Sequence, residues 1–193
     1  KNLNYNNLHY KIALTLLHGI GPIKAKEVLN RAGSIELLFT LSASELSKLV
    51  ELKPSVIQKM KREEALLKSI SVAEHLTKNE IRTYYFEEDN YPRRLLQCVD
   101  APLLLYGKGN VDMNASKIVA VVGTRDATIY GKRICDELIG SFIDQNILVI
   151  SGLALEIDAQ IHKNCVDKGV STSGVSGHGF DRVYPAKNRG LCE

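Results

Sequence analysis

IVAVVGTRDATIYG, residues 118–131, is the stretch around which the rest of the chain is organised. Small and β-branched apolar residues run from Ile118 to Val122 and stop at Gly123, and a helix-like segment opens by Tyr130. A continuous apolar run that ends in glycine before a helix describes a buried parallel strand delivering a βα loop. In an open α/β sheet that loop lies at the carboxyl edge, where ligands bind. Gly123, Thr124 and Arg125 give it backbone N–H groups, a helix N-terminus nearby and one fixed cation, a set suited to phosphate.

Downstream the pattern repeats. A helix over 130–144 is expected, with Ile134, Leu138 and Phe142 on one face. ILVIS (147–151) is a second strand ending at Ser151-Gly152, a helix over 155–168 follows, and a third strand is expected at 170–175 before GHGFDRVYPAKN. A β-α-β-α-β series with short glycine-marked turns predicts a Rossmann-like, doubly wound, mostly parallel sheet. Right-handed crossovers then put Gly123-Thr124-Arg125 and Ser151-Gly152 on the same edge.

Upstream the spacing is helical from Tyr10 to about Ala73, predicting four or five short helices in a small all-α module of the helix-hairpin-helix or SAM-like kind. Gly19-Ile20-Gly21-Pro22 ends one helix and starts the next, with Pro22 tolerated in a first turn. Ser34 and Ser42 are expected N-caps, and Ser42 with Glu45 three residues on makes a capping box. The helix opened at Pro54 is expected to continue through KMKREEALLKSISVAEHL. IRTYYF (81–86) and LLLY (103–106) read as strands, RRLLQCV as a short helix between them, and KGNVDMNASK as a linker. The domain division expected is therefore a helical module over 1–75 and a Rossmann-like domain over 76–193.

Net charge is +3, with 24% charged and 45% hydrophobic residues, ordinary for a soluble protein. Residues 1–75 carry eleven basic and seven acidic side chains, a net of +4, which leaves the remainder at −1. That bias fits local phosphate contact, and solvated helices show the same. Cys98, Cys135, Cys165 and Cys192 form no C-x-x-C pair, which points away from a zinc site or disulfide framework and towards a reducing cytoplasm. The polar start KNLNYNNLHYK has no signal-peptide core. No apolar run approaches the ~18 residues that span a bilayer, so no membrane role is expected. A chain that starts without methionine and stops soon after Leu191 reads as a piece of a longer one.

The chemistry-bearing motifs are few. LLHGIGPIKAKEVLNRAG places an apolar residue between Gly19 and Gly21, with Lys24 and Lys26 beside the turn. Such a turn holds a nucleic-acid phosphate without reading bases, and the same glycines serve a plain helical hairpin. No G-x-x-x-x-G-K-[ST] occurs, and GHGFDR is only half of a dinucleotide fingerprint, so neither a Walker site nor NAD is expected. Asp158 and His162 lie four apart on one helix and, with Asp181 or Glu156, offer acid–base or metal chemistry. A helix-surface pair or a packed histidine is the preferred account. No nucleophile–base pair and no metal-ligand cluster appear. Tyr184, Lys187, Asn188 and Arg189 form a basic and aromatic cluster of the kind that takes single strands, or an ordinary solvated loop.

VVGTRDATIYG, VISGLALEIDAQIHKNCVDKG and GHGFDRVYPAKN, in that order, together with NYPRRLLQCVDAPLLLYGKGN and the helical module upstream, resemble the DNA-processing protein A family (DprA, also called Smf). The resemblance covers nearly the whole chain. It implies a Rossmann-like domain that binds single-stranded DNA and helps load a RecA-type recombinase in natural transformation, as a homodimer and not as an enzyme. It further implies no cofactor. By resemblance Gly123, Thr124 and Arg125 match the loop that holds a DNA phosphate, Ser151 and Gly152 its second loop, and Lys187 and Asn188 the basic stretch after Tyr184-Pro185. Gly19, Gly21, Lys24, Tyr184 and Arg189 are secondary candidates for DNA contact.

Several positions depart from the family. Thr124 replaces the usual serine and keeps its hydroxyl. Glu156 replaces a usual glycine and would repel DNA if its carboxylate pointed into the groove. Ser173, Gly174 and Ser176 occupy a strand that is normally apolar, and since polar groups are costly to bury that strand is expected to be short, irregular or at an edge. The family domain also continues past residue 193, so the sheet is expected to have an open edge here. The alternative weighed is a nucleotide-binding enzyme, a phosphoribohydrolase of the lysine-decarboxylase-like type. It needs a P-G-G-x-G-T loop, which these residues lack.

Overall fold

The computed structural model describes residues 6–192. They form two compact units, the first ending at Gly109 and the second beginning at Asn110.

The first unit holds six helices: α1 (Asn7–Thr15), α2 (Pro22–Ala32), α3 (Ile35–Thr40), α4 (Ala43–Val50), α5 (Pro54–Lys59) and α6 (Arg62–Lys78). The expected caps are present. The Ser34 hydroxyl accepts from Leu37 N–H, and Ser42 and Glu45 close a reciprocal capping box at α4. The helix opened by Pro54 does not run through, however. It ends at Lys59, Lys61 turns left-handed (φ 53°, ψ 47°), and a separate α6 begins at Arg62. The break lets Ile57 and Met60 reach the same core as Ala65 and Leu66. That tertiary gain overrides the local cost of a left-handed lysine, ~1–2 kcal/mol.

A two-stranded antiparallel ribbon completes this unit, β1 (Arg82–Tyr85) against β2 (Leu104–Gly107), with a 3-10 turn at Leu95–Gln97 where a short helix was expected. Ile81, Tyr85, Leu103 and Leu104 are buried in one cluster with Ile12, Leu38 and Leu66. The ribbon, grouped by sequence with residues 76–193, thus shares its core with the helices.

The second unit is a β-α-β-α-β series: β3 (Lys117–Ala120), α7 (Ile129–Gly140), β4 (Ile147–Gly152), α8 (Ile157–Lys168) and β5 (Thr172–Val175). The three strands are parallel in the order β3-β4-β5, with Ala120 opposite Ile150 and Ser151 opposite Gly174. This is the Rossmann-like arrangement expected, but β3 is not the buried strand the sequence suggested: among the described residues it is the other edge of the sheet, it ends at Ala120, Ile118 and Val119 are half-buried, and Val122 is exposed. Among the described residues β5 is an edge strand of four residues, which suits its polar sequence. Gly174 has a packing reason as well: a Cβ there would lie 2.8 Å from the Leu153 side chain.

Helix α7 ends at Gly140, four residues before the expected stop. The Ser141 N–H turns back to Glu137 and Leu138, and its hydroxyl donates to the Leu138 carbonyl. The buried face also differs. Cys135 and Ile139 point into the core with Phe142 packed against them, while Ile134 stays exposed. Reading Cys135 as a small hydrophobe, which free cysteine usually is, would have shifted the face by one residue. Cys165 lies in the same cluster, and all four cysteines are free.

Candidate functional site

The carboxyl ends of β3 and β4 bring two of the expected loops together by direct contact. After β3, Gly123 lies against the first residue of α8, where an added Cβ would sit 2.4 Å from Ile157 Cγ2. The Ile157 N–H donates to the Thr124 carbonyl at 3.4 Å. Glycine at 123 is therefore required for close approach, since any larger side chain would separate α8 from the loop. The Thr124 hydroxyl accepts from Asp126 N–H at 3.1 Å, which leaves its proton free to donate, and Thr128 caps α7 through Gly131 N–H. Gly123, Thr124 and Arg125 are all exposed, and among the described residues Arg125 has no ion pair.

After β4 the polar residues divide into two kinds. Ser151 is 2% exposed, and its hydroxyl donates to the Val121 carbonyl at 2.7 Å, stitching β4 to β3 where the ladder ends. It contributes position and has no hydroxyl proton left for a ligand. Gly152 is tightly packed, since a Cβ would meet Asp158 Oδ2 at 2.5 Å. His162 explains the Asp158-His162 pattern. It is 4% exposed, its Nε2 donates to the Gly152 carbonyl at 2.7 Å, and its Nδ1 lies 2.8 Å from the Thr172 hydroxyl. The ring ties the β4 loop to β5, so it is a packed brace. Among the described residues no group of three or more His, Cys, Asp or Glu has the arrangement to hold a metal ion.

The third segment, after β5, is anchored to the second. Asn188, 4% exposed, donates its side-chain amide to the carbonyls of Leu153 and Ala154 at 2.8 and 3.1 Å. Like Ser151, it holds a loop in place. Lys187 and Arg189 on either side are exposed, on a 3-10 segment over Ala186–Leu191. Tyr184 is also exposed. Its N–H donates to His178 Nε2, which leaves Nδ1 to donate to the Gly179 carbonyl. Its ring is free for stacking.

Glu156 was expected to matter only if it pointed inward, and it has a defined partner. Its carboxylate lies 2.7 Å from Lys132 Nζ, one turn into α7. The Lys132 hydrogen bond and charge hold the carboxyl below its ordinary value of 4.5, and the Lys187 charge acts in the same direction. The backbone is unusual: φ 65° and ψ −106° just before α8. That region is natural to glycine and costs other residues ~1–3 kcal/mol. Lys132 was not singled out from sequence. Only its place one turn beyond the Thr128 cap could have marked it.

Gly19, Gly21 and Lys24 belong to the first unit. Gly19 adopts φ +71°, Gly21 caps α2, and Lys24 pairs with Glu27 at 2.8 Å. The described residues include no helix long and apolar enough to cross a membrane.

The chain is 27% identical over 188 residues to Protein Smf of Synechocystis sp., covering 95% of this chain and 47% of that protein. It is 34% identical over 119 residues to the DNA processing protein DprA of Streptococcus pneumoniae, covering 61% and 42%. The crystal structure of DNA processing protein A from Streptococcus pneumoniae superposes with a TM-score of 0.71 at 27% identity, over 98% of this chain and 64% of that one. The chain thus spans about half the length of the curated relatives it matches. The sequence profile of DNA recombination-mediator protein A matches residues 82–193, more than half of the chain. The chain belongs to the DNA recombination-mediator protein A family.

Proposed function

We propose that this chain carries the single-stranded DNA site of a recombination mediator, acting in the cytoplasm in DNA processing during natural transformation. The full-length protein would act as a homodimer, deliver DNA to a RecA-type recombinase and catalyse no reaction of its own. The observation that carries the reading is the interlocking of the loops after β3 and β4 around Gly123 and Ile157, with Arg125 exposed and unpaired among the described residues. Arg125 and Lys187 clamp phosphates, Thr124 donates its hydroxyl, and Ser151, Gly152 and Asn188 fix the loops. Tyr184 and Arg189 line the rim, and the Gly19–Lys24 turn of the helical module is a secondary contact. Family membership supports this reading over the phosphoribohydrolase.

Binding dominated by phosphate neutralisation falls steeply with salt and depends little on sequence. Removing one phosphate contact lowers the logarithmic salt slope by ~0.7, or about fivefold in affinity at 0.1 M salt. Arg125→Ala should therefore bind a fluorescent oligothymidine about fivefold more weakly than wild type, with an unchanged circular dichroism spectrum. Equal affinity across the salt range would refute the site.

A further inference from the structure

The proposed phosphate site carries its own carboxylate. Glu156 adopts a backbone conformation disfavoured for any residue with a Cβ, directly before the Ile157 N–H that joins α8 to the Thr124 loop. Its side chain reaches Lys132 at 2.7 Å, and its carboxyl is lowered first by Lys132 and also by Lys187. Lys132 extends from the helix that follows the Arg125 loop, and Lys187 precedes the Asn188 that clamps the Leu153 and Ala154 carbonyls. Paired with Lys132, the carboxylate presents that cation with what a phosphodiester would: two oxygens sharing one negative charge.

We propose that Glu156 is an internal competitor for the phosphate site, pairing with Lys132 and neutralising the groove until a DNA phosphate displaces it. Lys132 is then a further DNA-contacting cation, masked in the free protein. This inference rests on the groove's being the phosphate site, as proposed above. A strand must replace the Glu156–Lys132 pair to gain the Lys132 contact, so affinity is held below what the exposed cations would give. Isolated nucleotides, which gain little by displacing the pair, are disfavoured most.

The test is a salt titration of a fluorescent oligothymidine against the full chain as wild type, Glu156→Gln, Glu156→Gly, Lys132→Ala, Glu156→Gln/Lys132→Ala and Arg125→Ala. Glu156→Gln keeps the side-chain size and the backbone geometry and removes only the charge. It should bind about fivefold more tightly at 0.1 M salt, with a slope steeper by ~0.7, the effect of one added phosphate contact. Glu156→Gly should match that gain and also raise the melting temperature, because glycine accepts the conformation at 156. In the Lys132→Ala background Glu156→Gln should lose most of its effect. If Glu156→Gln binds no more tightly than wild type while Arg125→Ala weakens binding, the competitor is overturned and the groove stands. If Arg125→Ala leaves binding unchanged, the groove falls and the competitor with it.

Discussion

The contact between Gly123 and Ile157 is the joint on which the candidate site depends, and it can be broken by one methyl group. A Cβ at 123 would lie 2.4, 2.6 and 2.7 Å from Ile157 Cγ2, Cβ and Cγ1. Ordinary carbon–carbon contact is ~3.5–4.0 Å, so all three atoms are about 1 Å too close. Rotating the isoleucine side chain cannot relieve this, because its Cβ is fixed to the backbone. The first turn of α8 must therefore move. Overpacking of this kind costs ~1–3 kcal/mol. The shift also removes the 3.4 Å hydrogen bond from Ile157 N–H to Thr124, worth a further ~0.5–1.5 kcal/mol. Gly123→Ala should thus lose ~1.5–4.5 kcal/mol, a large part of the ~5–15 kcal/mol of a typical domain.

Urea unfolding followed by circular dichroism on Gly123→Ala, Ile157→Ala, Ile157→Gly and the two doubles measures the joint. Ile157→Ala removes two of the three close atoms and Ile157→Gly all three. The doubles should accordingly be less destabilised than the sums of their singles, by ~1–2 kcal/mol with alanine and by more with glycine. Gly131→Ala is the internal control. Its Cβ would meet only Thr128 Oγ1 at 3.5 Å and Ile157 Cδ1 at 3.6 Å, so it should be neutral or stabilising by ~0.5–1 kcal/mol. Additive doubles, or a Gly123→Ala no less stable than Gly131→Ala, would refute the argument.

Neighbouring residues in the third segment should separate position from binding. Asn188→Ala leaves the carbonyls of Leu153 and Ala154 without their donor and should lower stability by ~1–3 kcal/mol in urea, whereas Lys187→Ala should leave stability within ~0.5 kcal/mol and weaken oligonucleotide binding. His162→Leu should cost ~1–3 kcal/mol, because the Gly152 carbonyl loses its donor, and substitution by asparagine should recover only part of that loss. Burial pushes the Cys135 and Cys165 thiols up from 9.0, so the stability they contribute is fully present below that value and is lost as pH rises through their folded values. A thiol reagent at pH 8 should therefore modify Cys98 and Cys192 first, and equal labelling of all four would contradict the burial.

The parallel strands and the meeting of the first two loops were legible in the sequence, because apolar runs ended by glycine depend on local chemistry and the crossovers on handedness. So were the caps at Ser34 and Ser42. Features that depend on what packs against what were not legible. Nothing in residues 54–78 marks Lys61 as a break, since only the shared burial of Met60 and Leu66 demands one. The buried face of α7 was misplaced because Cys135 was not counted as apolar. The ribbon's place with the helices follows from Tyr85 and Leu104 meeting Ile12 and Leu38 in space. The Glu156–Lys132 pair joins residues 24 apart, and no spacing rule reaches that far.

The same distinction runs through the site. Where a parallel ladder ends, carbonyls such as Val121, Leu153 and Ala154 lose their strand partners and must be satisfied by something else. Polar residues close in space to those ends, Ser151 and Asn188, are consumed in doing so and become buried. Polar residues beyond the ends, at Thr124, Arg125, Lys187 and Arg189, have no carbonyl to serve and stay exposed. A motif read as one string of ligand-like residues is therefore a frame plus a few free groups. The frame is costly to change in stability, and the free groups in binding. Glu156 belongs to neither class: it is exposed enough to meet a ligand and already paired with a residue that would otherwise do so. That is why its substitution, more than any loss of a cation, distinguishes a groove merely decorated with charge from one whose charge is held in balance.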